Sequence, residues 1–75
     1  MPTLPRLSGR DVVRIFEKEG WQIARQRGSH IILVKEGHVI TLSVPDHREI
    51  AKGTLRSLIR SSGLTVEQFI ALVHK

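Results

Sequence analysis

Gly28-Ser29-His30 places a titratable imidazole directly after a turn-forming pair, and Arg25 and Arg27 stand just ahead of it. A histidine beside guanidinium groups holds the parts for phosphodiester cleavage. Imidazole moves protons near neutral pH, and arginine grips phosphate through paired N–H groups. RNA supplies its own nucleophile: a base takes the 2′-hydroxyl proton, cations stabilise the phosphorane, and an acid protonates the leaving oxygen. That route requires no metal and no cofactor. Without that chemistry, the same tripeptide reads as a strand-end surface histidine beside ordinary surface arginines.

Three further groups compete for a role. His47, two residues after Pro45, could supply the complementary acid or base, or contact a phosphate at the start of the next helix. It could equally cap that helix together with Asp46. Arg48, Lys52, Arg56 and Arg60 recur every four residues, which keeps them along one side of a helix as a basic ridge, partly offset by Glu49. Such a ridge can track a phosphate backbone or simply be a solvated face. Trp21 could stack on a base, but its place after Gly20 and before Ile23 favours anchoring the first strand to the core. His38 and His74 lack supporting context, and the histidine spacings match no compact metal-ligand pattern. A phosphate-cradling glycine loop and a Gly-x-Ser-x-Gly elbow are both missing from the sequence.

The whole chain bounds these readings. With 75 residues, 40% of them apolar, it is expected to form one domain over 1–75, with 1–7 as a Pro-containing N-terminal extension. At this size only about 60% of the unfolded chain's surface can be buried, which leaves little volume for a large enclosed ligand site. Twelve Lys and Arg against seven Asp and Glu give +5, and the sequence pI is near 10.8. A polyanion or an acidic protein is the expected partner. The absence of Cys excludes a disulfide framework and thiolate chemistry and fits a reducing compartment. No apolar run follows the N-terminus and the longest is Ile31 to Val34, so we expect neither a secretory leader nor a membrane span, and a cytoplasmic protein.

The elements that must position the histidine follow from local pattern. Ser8 and Asp11 start a helix over about 8–19, with Val12, Val13 and Phe16 on its apolar stripe and Gly20 as its stop. Trp21 to Gln26 reads as a strand, Arg27-Gly28-Ser29 as a turn, and His30 to Lys35 as a second strand. Glu36-Gly37 fits a two-residue hairpin loop before a third strand, His38 to Ser43. That loop sets Lys35 opposite His38, Leu33 opposite Ile40 and Ile31 opposite Leu42, with these four apolar residues facing the core and His30 facing away. Pro45 should leave the sheet. Glu49 to Ser62 resumes helical spacing up to Gly63, and Thr65 to Gln68 opens a last short helix as a capping box. Helices on one face of a three-stranded antiparallel sheet make the class α+β.

In this order the segments resemble the HicA (YcfA-like) toxins. The residues carrying the resemblance are Ser8 to Val13, Gly20-Trp21 with Arg25, Gly28-Ser29-His30, Val44-Pro45-Asp46-His47, Ile50 to Leu55 and Ser62 to Thr65. It runs from about Ser8 to Phe69, and the ordered set is more specific than any one fragment. It implies a fold similar to the double-stranded-RNA-binding domain, α-β-β-β-α. It also implies an mRNA-cleaving toxin held inactive by a HicB-like antitoxin, with His30 as the catalytic residue. The Pro-x-His element is matched by Pro45 and His47, without a firm role for that histidine. RNA contacts are then expected from Arg25, Arg27, Ser29, Lys52 and Arg56. One departure is Leu33 in a chain that has no Tyr, which removes aromatic stacking from the sheet. The alternatives are a non-catalytic RNA-binding module of the same fold, and a DNA-binding regulator whose Leu55 to Val73 loosely forms a helix-turn-helix. Glu67 near the start of the last helix counts against the second.

Overall fold

A computed structural model describes residues 3–75. Helix α1 (Gly9–Lys18) starts where the Ser8 hydroxyl accepts from the Asp11 N–H at 3.0 Å and the Asp11 carboxylate accepts from the Ser8 N–H at 3.1 Å. These two bonds satisfy end groups that the helix itself leaves free. The N–H of Ser8, then the Ser8 hydroxyl, hold the Asp11 carboxyl below its ordinary range. A second reciprocal cap, Thr65 with Gln68, opens α3 (Val66–Val73). Between them lie β1 (Gln22–Arg27), β2 (His30–Val34), β3 (Leu42–Pro45) and α2 (Lys52–Ser62). The strands form one antiparallel sheet in the order β1-β2-β3. The architecture is the α+β arrangement that the residue pattern and the resemblance both lead one to expect.

All three helices cover one face of the sheet. Val12, Phe16, Leu55, Ile59 and Phe69 from the helices enclose Leu33, Leu42 and Val44 from the strands, with Trp21 beside them. Phe16 meets Trp21 edge-on at 6.3 Å and Phe69 in a tilted pair at 5.3 Å, and aromatic pairs at such separations add about 0.5–1.5 kcal/mol each beyond area burial. Trp21 is therefore a core residue.

The second hairpin departs from the two-residue loop read from Glu36-Gly37. Residues 35–41 all lie outside the strands, and Leu33 pairs with Leu42, Ile32 with Ser43, Ile31 with Val44 and His30 with Pro45. The register is two residues longer than expected. An even shift keeps the faces of β2, so Ile31 and Leu33 still point inward, but Val44 replaces Ile40 in the core. Ile40 is 56% exposed. In the shorter register Val44 would have stood beyond the end of β2, opposite the Gly28-Ser29 turn, and could not have been buried. The His38 N–H closes a turn on the Lys35 carbonyl at 3.0 Å, and the His38 ring stacks edge-on against Trp21 at 5.2 Å. Pro45 stays in the sheet, where an edge strand tolerates its missing N–H.

Helix α2 starts at Lys52, not Glu49, because the preceding backbone is used elsewhere. The Ile50 N–H donates to the Leu7 carbonyl at 2.8 Å, and the His47 carbonyl accepts from the Gly9 N–H at 2.9 Å. Ala51 is the N-cap and makes no side-chain cap, so neither Asp46 nor His47 caps this helix. Arg48 consequently falls outside the ridge, which continues as Lys52, Arg56 and Arg60. The N-terminal segment is packed as well. Leu4 is fully buried and its carbonyl accepts from the Lys52 ammonium.

Gly9 carries the close approach of α1 to the end of β3. A Cβ there would lie 2.0 Å from the Pro45 carbonyl oxygen and 3.1 Å from the Asp46 Cα, both backbone atoms. Gly9→Ala is therefore expected to destabilise the chain by about 1–3 kcal/mol, the range for overpacking, and toward its upper end because backbone atoms stand in the way. Denaturant titration followed by Trp21 fluorescence measures it, and an unchanged midpoint would refute the reading.

Candidate functional site

The uncovered face of the sheet carries the basic and titratable groups. Strand alternation alone sets Arg25 and Arg27 on the same side as Ile23, the side of the core. A one-residue register shift changes this: Ile23 pairs with Leu33, yet Arg25 pairs with Ile32 and Arg27 with His30. Ala24 is the extra residue of a β-bulge, which re-aims every residue after it. Arg25 and Arg27 are thereby transferred to the outer face. Arg27 and His30 are direct cross-strand partners, a placement that sets their Cβ atoms about 4.5–5.5 Å apart.

Gly28 and Ser29 close the β1-β2 hairpin. Gly28 sits at φ +58°, while Ser29 keeps an ordinary negative φ. A two-residue turn with left-handed backbone at its first position suits the twist of the strands, and glycine adopts it without strain. This is why the tripeptide begins with glycine. The turn leaves His30 exposed as the first residue of β2.

His30, Arg27, Gly28, Ile32 and Ser43 line an open depression of about 500 Å³. Its floor is the sheet and no side covers it, a shape suited to an extended strand more than to an enclosed small molecule. Arg25 flanks Ile32 on the same face. Among the described residues, neither Arg25 nor Arg27 has a carboxylate within ion-pair reach, whereas Arg6, Arg10, Arg14 and Lys35 each have one. Two guanidinium groups without an acidic partner thus stand beside His30, while Arg48, Arg56 and Arg60, likewise without an ion pair among the described residues, stand elsewhere. No three His, Cys, Asp or Glu side chains among the described residues lie close enough together to share a metal ion.

The other sequence candidates stand elsewhere. His47 is exposed and lines a separate hollow with Ser8, Arg10, Asp46 and Arg48, at the start of α1. Lys52 and Arg56 belong to α2, in the helix layer, and neither lines the depression around His30. Ser29 lies at the turn itself, with its carbonyl accepting from the Asp46 N–H at 2.7 Å.

Two residues hold this turn to which the sequence pattern gave no part in it: Gln26, read only as the end of a strand, and Asp46, read as a helix cap. The Gln26 amide donates to the Gly28 carbonyl at 3.3 Å and to Asp46 Oδ2 at 3.4 Å, and the same oxygen accepts from Arg10 Nη2 at 3.3 Å. No local signal marks this role for Gln26 and Asp46, since their contacts span β1, the segment after β3, and α1. Only the pairing register of both hairpins would have found them.

A family model described as HicA toxin of bacterial toxin-antitoxin matches residues 9–64. Among solved structures, a chain of a toxin-antitoxin complex from Streptococcus pneumoniae matches with a TM-score of 0.69 and 29% identity, over 77% of this chain and 98% of that one. No curated protein matches significantly.

Proposed function

This chain belongs to the HicA toxin family of toxin-antitoxin systems, and on that premise we propose that it cleaves mRNA as a metal-independent endoribonuclease with His30 as the proton-transfer group. The observation carrying the reading is the exposed His30 paired across the sheet with Arg27, on a face where guanidinium groups lack acidic partners. The 2′-oxygen of a bound RNA forms a bond to phosphorus as the bond to the 5′-oxygen breaks. His30 takes the 2′-hydroxyl proton, and water protonates the departing oxygen. Arg27 and Arg25 hold the phosphate and offset the charge of the phosphorane. His47, in its separate hollow, is assigned a contact with the flanking phosphates, as are Lys52 and Arg56 along the helix layer. A HicB-like antitoxin would silence the toxin by covering the face around His30, in the cytoplasm where mRNA is met.

The test is incubation of the purified chain with a labelled single-stranded RNA in the presence of a chelator. Products ending in 2′,3′-cyclic phosphate support the reading, and binding without cleavage at any pH would replace it by a non-catalytic RNA-binding module. The arginines have their own signature. Arg25→Ala with Arg27→Ala is expected to lower the slope of log affinity against log salt by about 1.4, and to weaken binding about 10–30-fold at 0.1 M salt. An unchanged slope would remove these two residues from the interface.

A further inference from the structure

The turn ahead of His30 presents a backbone donor to the same face. Both of its carbonyls are held: that of Gly28 accepts from Gln26 Nε2, and that of Ser29 from the Asp46 N–H. Gln26 pairs with the buried Ile31, so its side chain stands on the helix side of the sheet. The Gly28 carbonyl is drawn to that side. All peptide bonds of the described chain are trans, and a trans peptide points its N–H opposite to its C=O. The N–H of Ser29 therefore faces the open side, where His30 and Arg27 stand. Among the described residues it has no hydrogen-bond acceptor. A donor bonded to the Gly28 oxygen also polarises the peptide and strengthens that N–H as a donor.

We propose that the Ser29 backbone N–H is an oxyanion donor, binding a non-bridging oxygen of the scissile phosphate as its charge grows in the phosphorane. This rests on the ribonuclease reading and adds a catalytic group to it. Gln26 and Asp46 are positioning residues, since they act through the turn and do not touch the substrate. The donor is fixed before RNA arrives, which is the condition under which such groups contribute most.

The experiment uses the full chain made by chemical synthesis with the Gly28–Ser29 amide replaced by an ester, which removes this N–H and keeps the side chain. The single-turnover cleavage rate is expected to fall about 100–1,000-fold relative to the synthetic wild type. Affinity for an RNA lacking the 2′-hydroxyl at the cleavage site is expected to change far less, which separates transition-state stabilisation from binding. Equal rates for ester and amide chains would overturn the proposal and leave the ribonuclease reading standing. If the wild-type chain cleaves no RNA, the reading itself fails and takes the proposal with it. Should the ester chain not fold, Ser29→Pro removes the same N–H. It is then compared with Ser29→Ala, which keeps it: a rate much lower for Ser29→Pro supports the donor, and equal rates refute it. Gln26→Ala, which frees the Gly28 carbonyl, is expected to lose about tenfold in rate with its folding midpoint nearly constant. A rate equal to wild type would remove Gln26 from the positioning role.

Discussion

His30→Ala is expected to lose RNA cleavage by a factor of about 100–10,000, the range supplied by a positioned proton-transfer side chain. Its folding midpoint should hardly move. His30 is exposed at the start of β2, its side chain makes no hydrogen bond within the described residues, and surface substitutions of this kind cost within about 0.5 kcal/mol. The loss should fall on the chemical step. RNA held by Arg25, Arg27 and the turn would still bind, so affinity for uncleavable RNA should stay within a few-fold of wild type. Growth after induced expression gives the cellular counterpart: arrest with the wild type and none with the variant. A variant that cleaves RNA as fast as wild type would return His30 to being a surface residue, whatever the family membership implies.

Phe69→Ala carries the largest expected effect on stability. Its ring is fully buried, 5.3 Å from that of Phe16, at the point where α3 seals the core. Truncating a buried phenylalanine costs about 3–5 kcal/mol through lost burial and the cavity left behind. A chain of this size has a total stability of about 4–11 kcal/mol, so the variant should be partly unfolded near 37 °C. Residue 69 lies outside the segment matched by the family model, 9–64. The added helix is nevertheless structural here, since the Lys18 ammonium also donates to the Leu72 and Lys75 carbonyls at its end. Thermal unfolding followed by Trp21 fluorescence gives the number. A cost below about 1 kcal/mol would mean that α3 is an appendage to a core already complete without it.

These two experiments report on independent parts of the molecule. Neither residue lies on the face occupied by the other, so a double variant should show the sum of the stability effects and no coupling. The partition matters for reading any loss of toxicity in cells, where an unfolded chain and an inactive one look alike.

Much of this architecture was legible in one dimension because it depends on short-range chemistry. The caps Ser8 with Asp11 and Thr65 with Gln68 are contacts over three residues, written in the sequence as spacing. The apolar stripe of α1 and the inward Ile31 and Leu33 are likewise consequences of helix and strand periodicity. Gly28 announces its turn, and with it the exposure of His30. Where the reading failed, the deciding interaction was distant. The β2-β3 register lengthened by two residues because Val44 is buried only in that alignment, and Glu36-Gly37 carries no information about Val44. The start of α2 moved to Lys52 because Leu7 and Gly9 occupy the backbone groups of Ile50 and His47.

The site divides along the same line. By itself the sequence determined its chemical vocabulary: an imidazole after a glycine turn, an excess of arginine, and no thiol. Tertiary structure decided which of those groups meet. A bulge at Ala24 rotates Arg25 and Arg27 onto the face of His30, a choice the alternation of β1 would have made the other way. His47, close in the chain to the residues that pair with His30, is carried off to the start of α1. Gln26 and Asp46, which hold the turn, become neighbours only when both hairpins close. Residue type and local spacing act over one turn of helix or one step of strand, whereas face and register are set by burial summed over the whole sheet.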